Sequence, residues 1–371
     1  MSRQSKGQRP VRRGTHSQPK IVNQAGSTDA LAQPDSTAST KPQKPVRLFS
    51  YVEQEVSFSS SNASLSGTVT QPDSNTPAPA VVLIHGSGGH TRDEVVYGHT
   101  VFAVLADHLT SRGIVVLRYD KRGIGASTGE FASATVPDFA DDSLAAVEYL
   151  KTHPGVDPGR ITLIGHSEGG LVAPMVALRT TAVRSIILMN GPALPGGDIV
   201  VSETAVILRS QGVSEEEIKV VLAQRVAIHE ILKSDLSAED ALQEIVSILL
   251  DFQNVTDELR NAVTEQHKLL VTPWYRGFIR YDPRPALWQL TCPVLVLAGE
   301  KDAQVLADDN LQAFHDIFAG SGNTQVELIK LPGLNHILQT CNTGLMDEYG
   351  ELEETLAYAA MHIMADWVLK H

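Results

Sequence analysis

One serine is set among glycines in a way that could make it reactive: Gly165-His166-Ser167-Glu168-Gly169-Gly170. The stretch satisfies G-x-S-x-G, a pattern short enough to arise by chance in roughly one chain in eight of this size and composition. Its setting narrows that chance, because the apolar run Arg160–Gly165 (RITLIG) precedes it and a helix-forming stretch follows. A nucleophile on a sharp strand-to-helix turn needs small neighbours, since larger side chains would strike the adjoining strand and helix. Ser167 is therefore a candidate nucleophile for acyl transfer. The helix that follows directs backbone donors at the same point, so the N–H of Glu168 is a candidate for stabilising an oxyanion.

Such a serine needs a second oxyanion donor, a base and an acid. The loop His85-Gly86-Ser87-Gly88-Gly89, after the first apolar run, offers the amide of Ser87, with Gly88 as a rival. The run Pro293–Ala298 (PVLVLA) leads into Gly299-Glu300-Lys301-Asp302, which puts Asp302 just beyond a strand, with Glu300 as its nearest alternative. The run Gln325–Leu331 (QVELIKL) leads into Pro332-Gly333-Leu334-Asn335-His336, which places His336 on the next loop as the base. A carboxylate beside that histidine would hold the tautomer able to accept the serine proton and would stabilise the imidazolium formed. His85 and His166 flank the site as orienting or packing residues. His153, His229, His315 and His362 fall on helices or connections, and no His/Asp spacing suggests a metal. No cofactor is implied.

These residues require a scaffold of buried strands. Val52–Ser60 and Ala63–Thr70 alternate as an antiparallel hairpin, and Ala80–His85 (AVVLIH) is the first continuous apolar run, the pattern of a strand covered on both faces. Strands then alternate with helices: Tyr97–Arg112 helical, Ile114–Tyr119 extended, Pro137–Lys151 helical, Arg160–Gly165 extended, Glu168–Thr180 helical and Ser185–Asn190 extended. The alternation resumes at Pro293–Ala298, with a helix at Ala307–Phe318, a strand at Gln325–Leu331 and a last helix from about Leu352 to Leu369. This order predicts a mostly parallel, doubly wound α/β sheet with helices on both faces. Between the two halves, residues 195–285 read as helices at Ile199–Ser210, Glu215–Lys233, Ala238–Phe252 and Asp257–Val271, with capping signals at Ser214/Glu217 and Ser237. An all-helical block inserted between strands is placed to form a cap over their ends; a separate partner-binding module is the other reading. The division expected is 1–47, then 48–194 with 286–371 as the core, and 195–285 as the helical insertion.

Residues 1–47 carry nine Lys/Arg against Asp29 and Asp35, leaving about −20 on the remainder of a chain whose net charge is −13. Their Ser, Gln, Thr and Pro content predicts disorder, and no apolar core of a secretory signal occurs. An organelle transit peptide has similar composition, so the compartment stays open, with the cytoplasm as the default. The acidic body would be repelled by phosphate backbones and anionic membranes, which argues against nucleic acid and membrane partners. Cys292 and Cys341 are too few for a disulfide framework, and a buried thiol acting as a small hydrophobe suits Cys292.

Taken in order, HGSGG, RYDKRGIGAST, GHSEGG, GEKD and GLNH resemble the bacterial α/β-hydrolase family related to serine aminopeptidases and small carboxylesterases. The resemblance covers about residues 48–371 and implies the α/β-hydrolase fold, in which the triad runs Ser…Asp…His along the chain. This chain departs from many relatives just after HGSG, where it has Gly89 and His90 before Arg92-Asp93, so substrate contacts do not carry over through that loop.

The chemistry expected is hydrolysis of small acyl esters through an acyl-enzyme; a peptidase acting on short peptides would use the same machinery. A non-catalytic binding protein on the same scaffold is a third reading. Pro273-Trp274-Tyr275-Arg276 could line a substrate pocket through Trp274, Tyr275 and Arg276, or pack as an aromatic hinge. Asp120 and Arg122 suit a structural ion pair. Peptidase work would need carboxylates for a substrate ammonium, the candidates being Asp93, Glu94 and Glu203. Dehalogenase and epoxide-hydrolase chemistry would need Asp in place of Ser167, and no G-x-G-x-x-G supports a dinucleotide. Oligomeric state is not legible.

Overall fold

The computed structural model describes residues 21–23, 42–46, 50–74, 76–250 and 255–371. The hairpin expected at the start is β2 (Tyr51–Ser60) paired along its whole length with β3 (Ala63–Pro72), and Ser61 turns the corner with a φ of 29°. Its neighbour is β7 (Val115–Tyr119), which meets β3 antiparallel and β4 (Ala78–Ile84) parallel. From there β8 (Val156–His166), β9 (Val183–Met189), β10 (Val294–Gly299) and β11 (Val326–Leu331) continue in parallel, and β1 (Ile21–Asn23) adds to the far edge. Among the described residues the sheet order is β1-β11-β10-β9-β8-β4-β7-β3-β2, with a separate two-residue ribbon of β5 (Val95–Val96) and β6 (His99–Thr100).

The alternation of side chains explains why these strands are apolar throughout. Along β4, Ala80, Val82 and Ile84 join the core formed with α2 (Val136–Lys151), α3 (Gly169–Ala177) and α10 (Ala307–Ser321). Val81 and Leu83 face the opposite core, with α1 (Val101–Ser111) and α11 (Tyr358–Lys370). Complete burial of each such side chain contributes about 1.5–3 kcal/mol, which polar residues on either face would forfeit.

Between β9 and β10 lie α4 (Gly196–Ser210), α5 (Glu215–Lys233), α6 (Ala238–Leu249), α7 (Asp257–His267), a 3₁₀ turn, α8 (Pro273–Arg280) and α9 (Arg284–Trp288). These helices bury a core of their own around Leu232, Ile245, Val246 and Ile279, while Tyr275 and Phe278 pack against both this core and that of the sheet. Ser214 and Glu217 form the capping box, and the Ser237 hydroxyl accepts from the Asp240 amide at 3.1 Å. The stretch with the possible pocket or hinge residues 273–276 is part of the helix α8, started by Pro273 at its first position and by the Thr272 hydroxyl, which accepts from the Tyr275 amide. The last helix begins at Tyr358, not Leu352, because a 3₁₀ turn at Met346–Glu351 comes first.

Two stretches of 1–47 are described, residues 21–23 and 42–46. Ile21–Asn23 pair with β11, and Gln43 clasps the chain near the final helix: its amide donates to Glu353 O (2.7 Å), its carbonyl accepts from the Thr355 hydroxyl (2.9 Å) and its side chain accepts from the Thr355 amide (2.8 Å). Polar backbone that must be satisfied, rather than apolar burial, holds this segment. The rest of 1–47 lies outside the described residues. Cys292 and Cys341 are free thiols, and burial pushes the Cys292 thiol up to about 11.

Candidate active site

The carboxyl ends of β4, β8, β10 and β11 lie along one edge of the sheet, and the triad and oxyanion candidates each follow one of them, whereas Trp274, Tyr275 and Arg276 lie on α8. Loops at that edge are where open α/β sheets hold ligands. After β8 the chain reverses into α3 through Ser167, whose φ of 50° is unusual for a residue with a side chain. The flanking glycines are sterically required: a Cβ on Gly165 would collide with the carbonyl of Gly169, and one on Gly169 with the carbonyl of Ile84. The Ser167 amide donates to Met189 O at 3.0 Å, which anchors the turn to β9.

His336 and Asp302 meet as expected, with His336 Nδ1 2.7 Å from Asp302 Oδ2 and both residues buried. The other carboxylate oxygen, Oδ1, accepts from the amides of Gln304 (2.8 Å) and Val305 (2.9 Å), so the acid is fixed on both sides. Glu300, the alternative acid, is exposed and accepts from the Gly333 amide at 2.9 Å. The His336 carbonyl accepts from Asn190 Nδ2 at 2.6 Å and from His166 Nε2 at 3.1 Å, and the His166 and His336 rings stand 5.0 Å apart. The base loop is thereby joined to the residue just before Ser167.

The loop after β4 runs beside the serine: a Cβ on Gly86 would stand 3.2 Å from that of Ser167. The Gly86 amide is taken by Glu94 Oε1 at 2.5 Å, which leaves Ser87 and its neighbour Gly88 as the loop's candidate donors. His85 is a packing residue, its ring against Phe102 and Tyr119, and burial depresses its pKa to about 3.

The other candidate residues have partners of their own. The Arg276 guanidinium donates to the carbonyls of Leu232, Ser234 and Leu236, tying α8 to the end of α5. Trp274 is buried, and its indole N–H donates to Glu168 Oε1 at 2.8 Å, the packed-hinge arrangement. Tyr275 is half-buried; burial raises its phenol, and the charges of Arg225 and Glu203 act on it as well. Asp120 and Arg122 do not pair with each other: Asp120 binds Arg92, while Arg122 grips Asp142 through two bonds of 2.7 and 2.8 Å. Asp93 is engaged by Arg118, and Glu94 by His166 at 3.0 Å. For Glu203 on α4, the third carboxylate considered for a substrate ammonium, burial raises the pKa, and the charges of His336 and Asp302 act on it.

Three features escaped the sequence reading: Asn190, the Glu94–His166 pair and a buried ion pair of Lys121 Nζ with Glu168 Oε2 at 2.9 Å. Only position after a strand end could have suggested Asn190 and Lys121. Among the described residues, no cluster of three or more His, Cys, Asp or Glu could hold a metal ion, and no helix is long and apolar enough to cross a membrane.

The pattern that describes the alpha/beta hydrolase family matches residues 81–346, which include every candidate site residue. The chain belongs to the α/β-hydrolase family. This hydrolase is 27% identical over 276 residues to esterase EstD of Thermotoga maritima, an alignment covering 74% of this chain and 58% of that one. Among solved structures, an esterase of Pyrococcus furiosus, Pf2001, superposes with a TM-score of 0.53 at 16% identity, covering 90% of this chain and 98% of the other. A proline iminopeptidase of Mycobacterium smegmatis superposes with a TM-score of 0.52 at 22% identity over 86% of this chain and 98% of its own. At these identities the two structures establish the shared fold.

Proposed function

We propose that this hydrolase cleaves small acyl esters with Ser167 as nucleophile, His336 as general base and Asp302 as the acid that orients it. The observation that carries the reading is the buried 2.7 Å pair of His336 and Asp302, on a loop whose main chain is bonded to the residue preceding a strained serine. Ser167 Oγ attacks the ester carbonyl carbon as its proton passes to His336 Nε2. The carbonyl oxygen, now an oxyanion, is met by the amides of Ser87, or its rival Gly88, and Glu168. Collapse breaks the bond to the alkoxy oxygen, which leaves with the proton from His336. Water then repeats the sequence on the acyl-enzyme: His336 takes its proton and returns it to Ser167, and the carboxylic acid departs.

The helices at 195–285 serve in this reading as a cap. They leave the sheet at the edge that carries the triad, and Trp274 reaches back from α8 to Glu168 beside the nucleophile. A second reading, hydrolysis of aminoacyl amides or short peptides, is favoured by Glu203 alone: a half-buried carboxyl that feels His336 and Asp302 could pair with a substrate ammonium. An ester's alkoxide leaves without the strict protonation an amine requires, so ester cleavage is the default of the triad. The deciding experiment is a panel of p-nitrophenyl acyl esters and aminoacyl anilides, compared as kcat/KM over their uncatalysed rates. Esters leading, with Glu203→Gln nearly neutral, supports the esterase; anilides leading and collapsing in Glu203→Gln supports the peptidase. No turnover of either by the wild type, with Ser167 unreactive, supports a binding protein.

A further inference from the structure

An oxyanion hole made by Ser87 and Glu168 joins two segments far apart in sequence, so something must hold them in register. The peptide groups of Gly86, immediately before Ser87, are gripped from two sides. Its N–H donates to Glu94 Oε1 at 2.5 Å, and the same oxygen lies 3.0 Å from His166 Nδ1. Its carbonyl accepts from Lys121 Nζ at 2.6 Å, and the same ammonium donates to Glu168 Oε2 at 2.9 Å. His166 and Glu168 are the two residues that flank Ser167. Each grip on the oxyanion loop therefore ends on a neighbour of the nucleophile.

All four charged side chains are buried, Glu94 at 0% exposure and Glu168 at 1%. Buried ion pairs are poor sources of stability, because desolvation offsets much of their attraction, so stability alone does not account for two of them here. Their geometry is restrictive. A Cβ at Gly86 would lie 3.1 Å from Glu94 Oε1 and 3.2 Å from His166 Nδ1. Trp274 Nε1 occupies the other oxygen of Glu168, and Lys121 Nζ sits 4.4 Å from the Phe139 ring centroid, so neither partner has room to swing. His166 Nε2 faces a carbonyl, which can only accept, and so carries a proton. Burial acts against charge on both Glu94 and His166, but their mutual attraction prevails, lowering the carboxyl to about 2 and raising the imidazole.

We infer that Glu94, His166, Lys121 and Glu168 are positioning residues, two ion pairs that fix the oxyanion loop at its working distance from Ser167. The inference rests on the triad reading above and adds the requirement that this spacing limits the rate of the chemical step.

The test compares wild type, Lys121→Met, Glu168→Gln and the double variant Lys121→Met/Glu168→Gln. Lys121→Met keeps the stem but leaves the Glu168 carboxylate buried without its cation, so that variant should lose stability; the double variant removes the stranded charge. Each folded protein is measured for Tm, for kcat and KM on p-nitrophenyl acetate, and for affinity toward an alkyl trifluoromethyl ketone, whose serine adduct carries the oxyanion. The double variant should melt near wild type, yet its kcat should stay about 10- to 100-fold low, with the ketone affinity falling in parallel. Its KM should remain within about twofold of wild type, because ground-state binding does not use the oxyanion hole. Return of kcat and ketone affinity together with Tm would overturn the inference and leave the ion pairs merely structural. Absence of Ser167-dependent turnover in the wild type would instead refute the triad, a separate outcome visible before any variant is compared.

Discussion

Replacing Glu94 by Gln should make the protein less stable by an amount that depends on pH in a defined way. In the folded state the Glu94 carboxyl is fully buried; burial acts to raise its pKa, but the charge of His166 and the hydrogen bond to it draw the value down from 4.5 to about 2. A downward shift of that size corresponds to about 3 kcal/mol of stability at neutral pH. The sign follows from proton uptake: below pH 4.5 the unfolded chain binds a proton that the folded chain refuses, so this contribution is complete above pH 4.5 and fades toward pH 2. His166 runs the other way. Its raised pKa contributes stability that is complete below 6.5 and is lost as pH rises through the folded value. Both contributions are therefore full between about pH 4.5 and 6.5. Glutamine adds a cost that does not titrate, because its amide must displace the acceptor for the Gly86 N–H or occupy the site of Glu94 Oε2, a buried atom without a hydrogen-bond partner. A buried donor left unsatisfied costs about 1–3 kcal/mol. Urea unfolding of wild type and Glu94→Gln at pH 3, 5.5 and 8 should give the largest difference at pH 5.5 and a clearly smaller one at pH 3. A difference constant from pH 3 to 5.5 would refute the ion pair and leave only the steric cost.

Three further outcomes follow from the same contacts. Asp302→Asn should lower kcat by about 10⁴-fold by favouring the wrong imidazole tautomer, whereas Glu300→Gln should change it little; steady-state kinetics of the two would reverse the acid assignment if Glu300→Gln were the more damaging. Glu203 has a pKa raised chiefly by burial, so ionising it costs stability as pH rises above 4.5; Glu203→Gln should raise Tm at pH 7 and leave it unchanged at pH 4, and an equal rise at both would contradict that origin. Gln43→Ala removes the side-chain acceptor of the Thr355 amide and should cost about 1 kcal/mol in denaturant unfolding, against no change if the segment does not dock.

Much of the scaffold is readable from sequence because its strands are buried on both faces. Runs such as AVVLIH and RITLIG have one explanation in an alternating chain, and they become β4 and β8. Ser167 follows β8, Asp302 follows β10 and His336 follows β11, which is why the candidate triad could be read from sequence. Asp302, preferred in sequence over Glu300, meets His336 in the structure, while Glu300, which also follows β10, turns to the Gly333 amide. Short helices such as α8 and α9 carry too few turns to show a period, and the Thr272–Pro273 start signal went unused. Arg276 in sequence is a cation near an expected pocket, and in space it also satisfies the carbonyls that end α5, which sequence could not show. Lys121 and the Glu168 carboxylate looked like ordinary charges, and Glu94 suggested only a partner for a substrate ammonium, because their real partners are brought to them by the tertiary fold.

The central claim, that Ser167 is the nucleophile activated by His336, is tested most directly by labelling the full chain with a fluorophosphonate and mapping the adduct by peptide mass spectrometry. A single adduct on Ser167, absent from folded Ser167→Ala and strongly slowed in His336→Ala, is the predicted result. Labelling that persists undiminished in folded Ser167→Ala, or an adduct mapped to another residue, would contradict it.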